Sequence, residues 1–217
     1  MGNRVAIVDY GMGNLHSVAK ALEYVGGDSV TVTVTHDARE ILRADRVVLP
    51  GVGAMGECMA EIIRLGLDQV VRDAAGSKPL LGICVGMQAL FEYSEESGGT
   101  HCLRLLPGTV RAFAPDMTDP KSGERLKIPH MGWNRVRQTG AHPMWRGIEQ
   151  NSWFYFVHSY YAVPAGDQLI AATSDYPQPF AVAAARDNIF AVQFHPEKSQ
   201  HAGLALYANF LRWDGGG

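Results

Sequence analysis

The stretch Pro79-Leu80-Leu81-Gly82-Ile83-Cys84-Val85-Gly86-Met87-Gln88-Ala89-Leu90-Phe91-Glu92 joins an apolar, strand-like run to a helix-like run across one cysteine. Glycines stand two positions before and two after Cys84. A nucleophile-type residue flanked in this way is the pattern of a nucleophile elbow, a strand-to-helix turn too tight for side chains at the flanking positions. The central residue is forced outward at the top of the sheet, at the positive end of the helix that follows. With cysteine at the centre, the pattern points to a thiol enzyme.

Strands and helices alternate on the N-terminal side of this turn. Val5-Ala6-Ile7-Val8, ending at Asp9, reads as a buried strand. From about Asn14 to Val25, Leu15, Val18, Ala19 and Leu22 fall at helical spacing, with Gly26-Gly27 as the stop. Ser29 to Thr35 is rich in Val and Thr and predicts a second strand. Asp37 is placed to cap a short helix that holds Ile41 and Leu42. Arg46-Val47-Val48-Leu49 predicts a third strand, closed by Pro50-Gly51-Val52-Gly53. One long helix is expected from about Met55 to Ala75, before the fourth strand at Leu80 to Ile83. Such alternation implies a parallel sheet with right-handed crossovers.

The second half changes character. Thr109 to Phe113, Trp133 to Arg137, Trp153 to Val157, Leu169 to Thr173, Ala181 to Ala185 and Ile189 to Val192 read as strands separated by turns. They suggest a mixed sheet or an antiparallel extension. Ala202 to Trp213 reads as a closing helix, and Gly215-Gly216-Gly217 as a disordered end. No repeat or linker interrupts the 217 residues, so a single α/β domain over 1–217 is expected.

Bulk properties exclude several classes. A chain of this length buries roughly 70% of its unfolded surface and needs no staples. A net charge of −3 argues against nucleic acid or an anionic membrane as the main partner. Three cysteines (Cys58, Cys84, Cys102) without repeated spacing are not a disulfide framework, so a reducing cytosol is expected. The apolar run at Val5–Val8 is too short for a signal peptide, and no stretch approaches the ~20 apolar residues of a membrane helix. Tyr10-Gly11-Met12-Gly13-Asn14 follows a strand, but His16 occupies the third glycine position of a dinucleotide fingerprint, which therefore fails. The eight histidines form no finger-like pair with each other or with cysteine, so no metal is expected.

A cysteine nucleophile needs a base and a charge stabiliser. Free thiol has a pKa of ~8.5, so little is thiolate at neutral pH unless a nearby imidazole or helix terminus lowers it. The best base is His195 in Phe190-Ala191-Val192-Gln193-Phe194-His195-Pro196-Glu197. It follows an apolar strand, where the carboxyl edge of a parallel sheet places functional groups, and Pro196 stops the ladder. Glu197 can accept the imidazole Nδ1–H, fixing the tautomer and stabilising the imidazolium. One oxyanion donor is expected from the Val85 backbone N–H. A second is expected from Gly51-Val52-Gly53, through Val52 or Gly53. Cys58 and Cys102 lack any such setting.

Pro50-Gly51-Val52-Gly53, Gly82-Ile83-Cys84-Val85-Gly86-Met87-Gln88 and Gln193-Phe194-His195-Pro196-Glu197 together resemble the class I, triad-type glutamine amidotransferases. Three more segments narrow the likeness: Tyr10-Gly11-Met12-Gly13-Asn14-Leu15, Pro129-His130-Met131-Gly132-Trp133-Asn134 and Phe156-Val157-His158-Ser159-Tyr160-Tyr161. They look like the branch formed by the glutaminase subunits of imidazole glycerol phosphate synthases. The resemblance runs from about Val5 to Leu211. It implies a flavodoxin-like amidotransferase fold, with a mostly parallel central sheet flanked by helices and an antiparallel extension. It also implies hydrolysis of glutamine to glutamate through a thioester, with ammonia passed to a (β/α)8-barrel cyclase in a cytoplasmic heterodimer of histidine biosynthesis. By the same resemblance Gln88 and Glu96 hold the amino-acid end of glutamine, beside Gly51, Gly53 and the His158-Ser159-Tyr160 backbone. Asn14, Met131 and Trp133 face the cyclase, and no cofactor is implied. A glutaminase serving another synthase, or a stand-alone thiol hydrolase of the same fold, are the competing readings.

Overall fold

The computed structural model describes residues 3–216. Its first half runs β1 (Asn3–Val8), α1 (Leu15–Gly26), β2 (Val30–Thr35), α2 (Ala38–Arg43), β3 (Arg46–Gly51), α3 (Met55–Arg64), α4 (Leu67–Ala75), β4 (Leu80–Cys84) and α5 (Val85–Ala89). The second half runs β5 (Tyr93–Ser94), β6 (Thr100–His101), β7 (Gly108–Ala112), β8 (His130–Gln138), β9 (Ser152–His158), β10 (Tyr160–Pro164), β11 (Ile170–Asp175), β12 (Pro179–Arg186), β13 (Ile189–Val192) and α6 (Gln200–Arg212).

The strands line up in the order β2-β1-β3-β4-β13-β12-β10-β7-β5-β6. The first five are mutually parallel, and β12 and β10 then continue the sheet antiparallel. Val47–Leu49, Leu80–Ile83 and Ile189–Val192 are buried along their whole length, as parallel strands covered on both faces must be. A hairpin of β8 and β9 branches off, held through β11 to β12. The expected parallel sheet with an antiparallel extension is therefore present.

Local differences have local causes. The single helix expected over Met55 to Ala75 is two, because Gly66 sits in the left-handed region (φ 67°) and redirects the chain between α3 and α4. The helix-like run after Cys84 stops at Ala89 after five residues, so its dipole is slight. Glu96 accordingly lies in a 3₁₀ turn rather than on a helix. Asp37 caps α2 as expected, its Oδ1 accepting from the backbone N–H of Arg39 (2.7 Å) and Glu40 (3.1 Å). Of the triglycine end, Gly217 lies outside the described residues, while the Gly216 carbonyl accepts from the Trp213 indole. Among the described residues no helix is long and apolar enough to cross a membrane.

Candidate active site

The carboxyl ends of β3, β4 and β13 converge on one pocket lined by Val52, Gly53, Cys84, Val85, Gln88 and Glu96 on one side. Pro129, Val157, His158, Ser159, Tyr160 and His195 line the other. Its volume, about 340 Å³, suits a small metabolite. Cys84 closes β4 with φ 55° and ψ −116°, a region that non-glycine residues occupy only when the surroundings hold them there. The surroundings do so by contact. A Cβ on Gly86 would lie 1.9 Å from the Leu49 carbonyl oxygen, and one on Gly82 would lie 2.8 Å from Leu90 Cδ1. The two glycines that mark the elbow are thus required by the approach of β3 and α5.

His195 leaves β13 and is fixed by its backbone: its N–H donates to Tyr155 O (2.9 Å), and its carbonyl accepts from the Ser199 hydroxyl (2.7 Å). Its Nδ1 lies 2.9 Å from Glu197 Oε1, with both side chains almost fully buried. A carboxylate only accepts, so Nδ1 carries the proton and Nε2 is left for the thiol side. Glu197 also receives the Asn14 amide (3.3 Å) and the Tyr207 hydroxyl (3.4 Å). Burial disfavours a charged ring at His195, but Cys84 and Glu197 outweigh it and push the imidazole pKa up to about 10. Burial also works against the Glu197 carboxylate, and the hydrogen bond from His195 outweighs it and holds that carboxyl below its ordinary value. Nε2 of His195 is buried and makes no hydrogen bond among the described residues, although the thiol is near enough to favour the imidazolium. The arrangement is a buried thiol and an oriented imidazole whose Nε2 is left open.

The remaining predicted residues distribute as follows. Val85, Val52, Gly53, Gln88, Glu96, His158, Ser159 and Tyr160 all line the pocket; Gly51 lies behind it, paired with Cys84 across β3 and β4. The Val52 carbonyl accepts from the Cys58 thiol (3.4 Å), so the Gly53 N–H, opposite it across a trans peptide, points away from Cys58. Glu96 Oε2 accepts from the Met55 N–H (2.9 Å), and burial raises its pKa. The resemblance puts Asn14 on a partner surface, and the structure adds that its amide reaches the Glu197 carboxylate. Met131 (66%) and Trp133 (45%) are exposed on the β8–β9 hairpin. There they share a face with Trp153, also exposed (50%), and Tyr155. In the sequence Trp153 stands only as a strand residue, although strand alternation alone places it beside Tyr155. Gln193 likewise stands there only as part of the His195 motif. Its side chain is fully buried, 3.8 Å from the Cys84 sulfur. No cluster of three or more metal-ligating side chains occurs among the described residues.

Known proteins resemble this one over its full extent. The family described as class-I glutamine amidotransferase matches residues 6–213. A Methylococcus capsulatus protein named imidazole glycerol phosphate synthase subunit HisH is 63% identical over 211 residues, covering 97% of this chain and 96% of its own. The Nitrosococcus oceani protein of the same name is 57% identical, covering 97% and 98%. Among solved structures, a chain of PurLQS from Thermotoga maritima superposes with a TM-score of 0.70 at 17% identity, covering 98% of this chain and 99% of its own. That last likeness concerns the fold alone.

Proposed function

The chain belongs to the class-I glutamine amidotransferase family, and from that premise we propose that it is the glutaminase subunit of an imidazole glycerol phosphate synthase. It hydrolyses glutamine to glutamate and ammonia, and the ammonia serves histidine biosynthesis. The observation that carries the chemistry is the left-handed Cys84 lining one pocket with His195, whose Nδ1 meets Glu197.

In this reading the Cys84 thiolate attacks the amide carbon of glutamine. The oxyanion forms against the Val85 N–H and a second N–H from Val52 or Gly53. His195 Nε2 gives its proton to the departing ammonia, leaving a thioester on Cys84. It then takes a proton from water, whose oxygen attacks the thioester and releases glutamate. Glu197 stays ionised throughout and holds the ring. Gln88, Glu96, Gly53 and the His158-Ser159-Tyr160 backbone hold the amino-acid end, while Gly51, outside the pocket wall, does not touch it. Glu96 offers its carboxylate, and Gln88 the Oε1 that its two amide hydrogen bonds leave over.

The partner is a (β/α)8-barrel cyclase, in a cytoplasmic heterodimer in which this chain is a single amidotransferase domain. Exposed Met131, Trp133 and Trp153, side by side on one hairpin, form an apolar face of the kind that partners cover, and Asn14 borders the triad nearby. The test is reconstitution with such a cyclase. Glutamine-dependent formation of imidazole glycerol phosphate is expected, lost in Cys84→Ala while added ammonia still supports turnover. A cyclase that works with ammonia but never with glutamine plus this chain would sink the reading.

A further inference from the structure

Cys84 has a second buried neighbour, besides His195, that the mechanism above does not use. Gln193 follows β13 and is fully buried, and its Nε2 lies 3.8 Å from the Cys84 sulfur, its one hydrogen-bond partner among the described residues. Its Oε1 is 2.8 Å from Gln88 Nε2. The partners of each amide fix which of its ends faces which group.

One group in the line has no choice of role. The Tyr160 carbonyl can only accept, and two groups point at it: Gln88 Nε2 (2.9 Å) and His158 Nδ1 (2.7 Å). Gln88 must therefore present its NH₂ there. Its second N–H then goes to Gln193, which must present Oε1 to receive it. Gln193 is left with its NH₂ facing sulfur. The histidines continue the line from the same carbonyl. With Nδ1–H given to Tyr160, His158 Nε2 accepts from His130 Nδ1 (2.9 Å), and His130 Nε2 accepts from the Asn134 amide (3.2 Å). Each contact along this line pairs a donor with an acceptor with both rings neutral, and flipping any one member sets like against like.

We propose that Gln193 is a further catalytic residue of this site, whose Nε2–H donates to the Cys84 sulfur and holds its thiolate form. The proton leaves Sγ for His195 Nε2, and no bond to Gln193 forms or breaks. A donor besides His195 is needed because α5 has only five residues and contributes little dipole, and because His195 must turn its proton toward the leaving ammonia. A contact of 3.8 Å is long for a neutral thiol, and charge-assisted bonds are shorter. The inference rests on the assignment of Cys84 as nucleophile.

The experiment is alkylation of the full chain by iodoacetamide across pH, read at Cys84 by peptide mass, without glutamine or partner. In Gln193→Leu, which removes the donor to sulfur and also the acceptor for Gln88, the rate at pH 7 should fall about tenfold, the lower end for loss of one hydrogen bond to a charged group. The deficit should vanish in strong alkali, where the thiol ionises unaided; a merely structural role would not be erased by pH. Gln193→Glu keeps an acceptor for Gln88, carries the test if the leucine variant does not fold, and should fall further because it sets a carboxylate against the thiolate. Alkylation at pH 7 as fast as or faster than the wild type in either variant overturns the proposal. Because the assay uses no glutamine, failure of the reconstitution described above would leave this result standing, and the reverse also holds.

Discussion

His195 and the His130–His158 pair are buried to nearly the same degree, with exposures of 2%, 4% and 6%. Yet they are driven in opposite directions. At His130 and His158 burial pushes the pKa down, to about 4 and about 3, and both rings stay neutral. At His195 the same penalty is overcome by Cys84 and Glu197, and the ring holds its proton up to about pH 10. The surroundings differ in two respects. His130 and His158 bond to each other, to an amide and to a carbonyl, all neutral, whereas His195 has the Cys84 thiol beside it and a carboxylate at 2.9 Å. A neutral histidine line is suited to fixing the direction of hydrogen bonds. A charged histidine is suited to moving a proton. The molecule uses one of each around the pocket that holds Cys84.

Deleting the charged member should have the largest effect. His195→Ala is expected to lower glutamine-dependent turnover of the reconstituted complex on the order of 10⁴-fold, the upper range for general acid–base catalysis. Ammonia-dependent turnover should be unchanged. A loss under tenfold would mean that another group is the base. Next comes Glu197→Gln, which keeps a hydrogen bond to Nδ1 and removes the charge, so that His195 comes to resemble His158. We expect roughly a 10²-fold loss in glutamine turnover, less than for His195 because the ring is still held. The imidazole resonances of His195, followed by NMR against pH, should titrate well below the wild-type range. An unchanged titration would show that the thiol alone raises it.

The two clusters are not equally legible in the sequence. Cys84 with Gly82 and Gly86, and His195 with Glu197, are local patterns, because a turn or a two-residue step brings the groups together whatever the rest of the chain does. The central strands are legible for a similar reason, being continuous apolar runs. The neutral line joins Gln88 to Tyr160 and Gln193, and His130 to His158, across 72, 105 and 28 positions. Nothing local marks such partners, because sheet order creates the juxtaposition: β12 and β13 bring Gln193 beside β4, and the β8–β9 hairpin pairs His130 with His158. The break at Gly66 escapes a reading of periodicity because a glycine within an amphipathic pattern looks tolerable until the chain has to turn. The short strands β5 and β6 carry too few residues to show any period.

The neutral cluster allows the converse substitution. Asn134 places its amide 3.2 Å from His130 Nε2, so Asn134→Asp would give that ring the carboxylate it lacks. His130 should then accept a proton well above its wild-type value of about 4, seen as a protonated imidazole by NMR at pH 6. Glutamine turnover should fall only a few-fold, through disturbance of the direction of the line. A His130 that stays neutral beside the introduced carboxylate would mean that burial, not the missing acid, sets its state.

The smallest effects, and opposite in sign, should appear in stability against pH. His195 has a folded pKa raised above the unfolded value of ~6.5. Its contribution is therefore full below about pH 6.5 and is lost as pH rises toward about 10. His130 and His158 have folded values below the unfolded one, so the chain keeps their contribution above about pH 6.5 and loses it as pH falls toward about 4 and about 3. Each group changes the unfolding free energy by at most about 1.4 kcal/mol per pH unit within its window. Urea unfolding of the wild type against His195→Gln should give a stability difference that shrinks between pH 7 and 9. Against His158→Gln the difference should grow between pH 4 and 6.5. Two curves of the same slope would show that one electrostatic environment governs both clusters, and that the carboxylate of Glu197 does not set the triad histidine apart.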